Sequence, residues 1–414
     1  MKTLLSAAYI AIMTGPCIED GAVVFDEACI IAAGSARSLR NEHPDAAFID
    51  LGNAVVLPGL INAHTHLELT AVGQLPKPRS FVDWILALRQ SMAEVDDPEA
   101  FIPRSVHAGV SQCLRFGVTA VADTTLNPTL SRPILADAGL RGVSHGEVLG
   151  MATRAAQTGL RLALAIDRSN ETPWFRAGIA PHAPYSLDLV GYRRCLQAAR
   201  EQAIPLATHL AETPDETQFL SDHTGPFRQL WETLGAWSQG VSRSVGGPIR
   251  TMHQLGLLDY PTLLAHVNYA DDEELEILAK GKASVVYCPR THAYFGHPPH
   301  RFEEMLKRGI NVAIGTDSCA SSPDLNLVDD LRLVYRSHPD VHPELLWSLI
   351  TYRAAAALGV EQGLGRLKPG FMPDLCIYEA HTADPLREIL ERDILPSEVW
   401  LGGKRVSGNP LNEY

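Results

Sequence analysis

The chain reads as a (β/α)8 barrel carrying a small β-sandwich domain built from both chain termini. Three observations lead there. From about residue 55, short β-branched runs alternate with longer helical segments, the pattern of repeated βα units and a parallel sheet. The first fifty-odd residues and the segment from about 360 are instead rich in short strands with Gly or Pro turns. Polar residues of metal-binding and catalytic type recur at the C-terminal ends of the central strands, where the βα loops of such a barrel open.

Taken in order, the barrel strands are expected at 55–64, 118–123, 141–149, 175–182, 204–210, 262–268, 283–288 and 311–317. Helices are expected between them, such as 188–201 and 271–281, the second opening on an acidic turn and stopping at Gly281. The barrel should span 58–358. Residues 1–57 and 359–414 are each too short for a good core alone and should meet in one small domain.

With 414 residues, one large domain plus a smaller one is the natural division. A hydrophobic share of 46% and a charged share of 20% suit a packed globular chain. The formal charge of -13 repels phosphate backbones and anionic membrane faces, so neither nucleic acid nor membrane is expected as a partner. No run approaches the roughly 20 apolar residues of a membrane span. The opening MKTLLSAAYIAIM lacks a small-x-small cleavage site and is read as a β-strand. Seven scattered cysteines, never spaced as CxxC, exclude a cysteine zinc site and suit free thiols in a reducing cytoplasm. A homodimer is compatible with the sequence, and no segment compels one.

The chemistry begins at NAHTHLEL. His64 and His66 stand two apart at the end of an apolar run, so on a strand they leave the same face and can grip one ion. THLAE then brings His209 and, three residues on, Glu212. LAHVN brings His266 and IGTDS brings Asp317. Any one of these alone is as readily a satisfied buried residue. Four strand ends in one register make coincidence a poor account.

These motifs, with PHAPYS and the returning GRLKPGFMPDLCIY, resemble the amidohydrolase superfamily in its deaminase and chlorohydrolase branch over nearly the whole chain. The resemblance implies a TIM barrel with a mononuclear site, in which His64, His66, His209 and Asp317 bind one divalent ion, zinc or iron. It implies catalytic roles for Glu212, His266 and Asp317. A lysine-bridged metal pair is ruled out because no lysine occurs between Lys77 and Lys280. Glu147 could bridge a second ion, and a hydrogen-bonded support of the pocket is its plainer role.

The mechanism implied is attack of a metal-activated water. Asp317 takes the water's proton, Glu212 protonates a ring nitrogen, and His266 stabilises the developing oxyanion. The expected activity is hydrolytic deamination of an aminated purine, pyrimidine or nucleoside derivative. A chlorohydrolase or amidase acting on a related nitrogen heterocycle is the alternative.

For substrate contacts the candidates are His182, Trp84, Arg290 and His292. Trp84 suits a covering loop and equally a helix-packing core. Arg89 could face an anion or solvent, and Glu68 shares strand parity with His66. After the seventh strand the chain departs from its relatives with CPRTHAYFGHPPHRF. Arg290, His292, Tyr294, His297 and His300 there could bind a polar substrate portion or an ion, a proline-tied loop being the plainer reading.

Overall fold

The computed structural model describes residues 1–151, 155–244 and 246–406. Among them sixteen strands form two sheets of eight. In chain order they are β1 Thr3–Ile10, β2 Ile18–Phe25, β3 Ile30–Ser35, β4 Ala47–Asp50, β5 Ala54–Pro58, β6 Leu60–Thr65, β7 Val118–Thr125 and β8 Arg141–Val148. There follow β9 Phe175–Pro181, β10 Leu206–Leu210, β11 Thr262–His266, β12 Ser284–Tyr287, β13 Asn311–Ile314, β14 Leu375–Glu379, β15 Glu398–Leu401 and β16 Lys404–Val406.

Strands β6 to β13 lie side by side in sequence order, every pair parallel, with helices in the connections. This is a (β/α)8 barrel. Its helices start where side-chain caps allow. Asp188 accepts from the Gly191 amide at 2.7 Å ahead of helix Leu189–Gln202. Asp271 and Glu274 form a capping box at helix Asp272–Lys280.

The seam between β13 and β6 closes through a few bonds. The Asp317 amide donates to the His64 carbonyl at 3.0 Å, and Asn62 bonds Thr316 through both its amide oxygen and its amide nitrogen. Gly315 makes this approach possible, since a Cβ there would stand 2.6 Å from the His64 carbonyl oxygen.

The expected first strand, 55–64, is corrected by the structure into two strands in different sheets. Residues of β5 pair antiparallel with β14, whereas β6 pairs with β7 in the barrel. The switch falls at Pro58 and Gly59, where the Gly59 amide donates to the Asp374 carbonyl at 2.7 Å. The run looks continuous because both strands are buried on all sides. The eighth strand is shorter than expected for a related reason: its ladder stops at Ile314, and residues 315–317 turn off to meet His64.

The strands from the two ends of the chain join in the second sheet, in the order β16, β15, β14, β5, β1, β2, β3, with β4 beside β1. The sheet forks at β1, whose first half pairs with β4 and whose second half pairs with β5. Leu5, Val23, Phe25, Val56, Ile377 and Trp400 fill one core there. Each such side chain contributes about 1.5–3 kcal/mol by leaving water. Residues 407–414, expected in this domain, lie outside the described residues.

Candidate metal and catalytic site

Every residue of the site sits at, or just beyond, the C-terminal end of a barrel strand. His64 lies in β6, and His66 follows its last residue, at φ -124° and ψ 86°. His209 and His266 end β10 and β11. Asp317 lies three residues past β13, on a backbone of φ +58°.

These side chains converge. His66 Nε2 and His209 Nε2 are 3.3 Å apart. Asp317 Oδ1 stands 3.7 Å from His64 Nε2 and 3.6 Å from His66 Nε2. Four donors around one ion at about 2.0–2.1 Å are expected roughly 3.3 Å from one another. The buried His64 Nε2 finds no hydrogen-bond partner among the described residues. His209 Nδ1 donates to the His182 carbonyl at 3.0 Å, which leaves its Nε2 lone pair for the cluster. Three imidazoles and one carboxylate of this geometry fit a divalent ion.

The electrostatics suit the same occupant. Burial holds His64 well below the usual imidazole range and takes His66 to about 3 and His209 to about 4, so all three are neutral donors. Burial raises Asp317 to about 6, with opposing hydrogen bonds from the Ser318 amide and the Thr291 and Ser321 side chains.

Glu212 sits beside the cluster with its Oε1 3.3 Å from His266 Nε2. Burial, reinforced by the charges of Asp317 and Glu216, lifts it well above the ordinary carboxylate range. Burial also depresses His266. Both shifts favour the uncharged form of each group. Tyr185 donates to Glu212 Oε2 at 3.1 Å. Sequence reasoning passed over Tyr185, although it lies three residues after His182 in the same motif.

The cluster opens into a cavity of about 440 Å³. Polar lining comes from His66, Glu147, His182, His209, Glu212 and Asp317. Phe81, Trp84, Leu88, Leu230, Trp231 and Tyr185 make the wall beyond. Trp231 and Leu230 lie on helix Pro226–Thr233 after β10, which carries no motif that would have pointed to it. Phe227 of that helix stacks on Tyr185, rings 4.1 Å apart.

Two substrate candidates line this cavity. His182 bonds Ser186 through Nδ1 at 2.6 Å and has Nε2 3.6 Å from Glu147 Oε1. Trp84 serves the wall and the packing together, its Nε1 donating to the Ala320 carbonyl at 3.3 Å. Arg89 also reaches the lining. Glu68 lines the cavity with both oxygens occupied by Thr125, Leu126 and Asn127.

Arg290 and His292 are not among the residues that line this cavity. The Arg290 guanidinium is engaged by Asp324 at 2.7 Å and Asp330 at 2.9 Å, because Asp330 is fully buried and needs a counter-charge. His292 is buried against the rings of Tyr287, His297 and His300. The whole 290–300 segment acts as a tie: Tyr294 donates to the Leu75 and Pro76 carbonyls, and His297 bonds Tyr269. His300 Nε2 donates to the His266 carbonyl at 2.8 Å and holds that residue at φ +74°.

A barrel with three histidines and an aspartate at its strand ends, and a buried glutamate beside them, is the architecture of a metal-dependent hydrolase. The amidohydrolase family model matches residues 55–406, and the chain belongs to the amidohydrolase family. It is 31% identical over 380 residues to a 5-methylthioadenosine/S-adenosylhomocysteine deaminase of Nitratidesulfovibrio vulgaris, covering 87% of this chain and 80% of that protein. Among solved structures it resembles Helicobacter pylori aminofutalosine deaminase at a TM-score of 0.85 and 24% identity, over 98% of this chain and 100% of that one. It also resembles an adenosine deaminase of Xanthomonas campestris with bound zinc, at a TM-score of 0.80 and 22% identity, over 97% and 92%.

Proposed function

We propose that this protein is a hydrolytic deaminase of a 6-aminopurine nucleoside derivative, and that His64, His66, His209 and Asp317 hold its divalent ion, zinc. The observation that carries the reading is a buried Glu212, its carboxyl pushed well above the ordinary range by burial, set beside a cluster of three histidines and an aspartate at one cavity. The nucleoside class draws support from the family and from the names of its deaminase relatives. The aromatic and aliphatic wall suits a nucleoside carrying an apolar substituent. A chlorohydrolase reading has only distant fold neighbours behind it.

The ion, when bound, supplies Lewis acidity that brings the pKa of water toward neutrality. The protein's part follows from its geometry. Glu212 delivers its proton to a ring nitrogen as the adjacent carbon becomes tetrahedral, and Tyr185 holds the carboxyl's second oxygen. Asp317 accepts the proton of the attacking water and returns it to the amino group, which leaves as ammonia when the C–N bond breaks. His266, kept neutral by burial, hydrogen-bonds the developing oxyanion. His182 and Glu147 meet the substrate's polar edge. Seven free cysteines support a reducing, cytoplasmic setting, and no described helix is long and apolar enough to cross a membrane.

The test is ammonia release from adenosine, 5′-methylthioadenosine, guanine, cytosine and a chlorinated triazine, run with zinc-loaded and iron-loaded enzyme. Turnover of a 6-aminopurine nucleoside at more than about 10⁴ M⁻¹s⁻¹ is expected. Chloride release from the triazine with no ammonia from any nucleoside would replace this reading with the chlorohydrolase one.

A further inference from the structure

Glu216 is fully buried, touches none of the reacting groups, and has no cation within ion-pair distance among the described residues. It is the third residue of helix Pro214–Asp222, whose N-cap is Thr213. A glutamate there ordinarily reaches back to the N-cap amide and closes a capping box. This one reaches further. Its Oε2 accepts from the Ala211 amide at 2.7 Å and its Oε1 from the Glu212 amide at 3.1 Å.

The bonds fall on a backbone that needs holding. Ala211 has φ +51°, a left-handed conformation that costs a non-glycine residue about 1 kcal/mol or more. On the other side of Glu212, its carbonyl accepts from Asn268 Nδ2 at 3.1 Å. Asn268 is itself buried and follows the strained pair His266 and Val267, at φ +74° and +51°. The peptide groups before and after Glu212 are thus each fixed by a buried side chain from another element. Burying a carboxyl without a counter-charge is expensive, so packing alone gives no reason for it.

We propose that Glu216, together with Asn268, is a positioning residue for the reaction: it pins the strained turn at Ala211 so that the Glu212 carboxyl stays aimed at the substrate ring. This rests on the reading of Glu212 as the proton carrier. Neither residue holds the ion or meets the substrate, so their effect should appear in turnover and pass entirely through Glu212.

The test is Glu216→Gln, which keeps the shape but turns one acceptor into an amide N–H facing a backbone N–H. Ammonia release from 5′-methylthioadenosine, or from adenosine where that is faster, is compared in the parent, E216Q, E212Q and the double variant. Expected in E216Q are a kcat lower by about 10- to 100-fold, a KM within about threefold of the parent, and one zinc per chain. The double variant should be no slower than E212Q alone, as residues acting through one group are not additive. A folded E216Q with the parent's kcat overturns the inference, as does an equal fold-loss of E216Q in the E212Q background. Should E216Q fail to fold, Asn268→Leu carries the same measurements, with the same expected split and the same overturning results. Full activity in E212Q would sink the Glu212 reading itself, a result separate from an inactive E212Q beside an active E216Q.

Discussion

Glu212 is the residue on which the chemistry turns, and its environment explains why a carboxyl can give a proton at neutral pH. Burial removes the water that would stabilise its charge, and Asp317 and Glu216 add repulsion. Glu212→Gln should therefore keep the metal and lose kcat by about 10²–10⁴-fold, read by ammonia release alongside metal analysis of the same sample. A variant as active as the parent would take Glu212 out of the mechanism. Arg290 has the opposite character, a charge retained for structure. Arg290→Met leaves the buried Asp330 unpaired, and a loss of about 3–5 kcal/mol is expected in urea denaturation, with KM unchanged where the protein is folded. A raised KM at unchanged stability would return Arg290 to the substrate.

At the level of elements, the barrel's weakest joint is also its most functional one. The β13 end reaches β6 through Gly315, Thr316 and Asp317 rather than through a ladder, and that contact sets Asp317 against His64 and His66. Gly315→Ala places a methyl 2.6 Å from the His64 carbonyl oxygen. The backbone must part there, with an expected cost of about 1–3 kcal/mol and zinc occupancy well below one per chain. Full occupancy with an unshifted melting curve would show that the seam tolerates the change. The strand ends were legible in sequence as apolar runs finishing in His or Asp. The split of 55–64 was not, because a strand covered on both faces is apolar throughout in either sheet, and only its pairing partner tells them apart.

The whole molecule carries several carboxyls held neutral by burial, and they predict how the metal-free protein responds to pH. Glu147 is raised to about 8 and Asp123 to about 7, burial being the leading cause in each. A folded pKa above the unfolded one gives stability that is complete below the unfolded value and is lost as pH climbs through the folded value. The buried histidines, shifted downward, are neutral in the folded state, and their unfolded counterparts, ordinarily at about 6.5, have shed nearly all their protons only above about pH 7.5, where they add little slope. From pH 7.5 to 8.5 the chelator-stripped protein should thus lose stability, each carboxyl still protonated in the folded state contributing up to about 1.4 kcal/mol per pH unit. Thermal melts that rise or stay level over that interval would show that these groups are ionised in the folded state. Adding zinc back should raise the melting temperature at any of these pH values, since an ion bound only by the folded form stabilises it.

Local chemistry sufficed for the class of fold and for the family, because strand periodicity and short motifs are properties of short stretches. Assembly in three dimensions decided the remainder: the sheet to which residues 54–58 belong, the retreat of Arg290 and His292 from the cavity, and the arrival of Tyr185, Trp231 and Glu216 around Glu212. Those outcomes depend on which distant backbone each side chain meets and how much water is left beside it. Neither quantity is written in the order of residues along the chain.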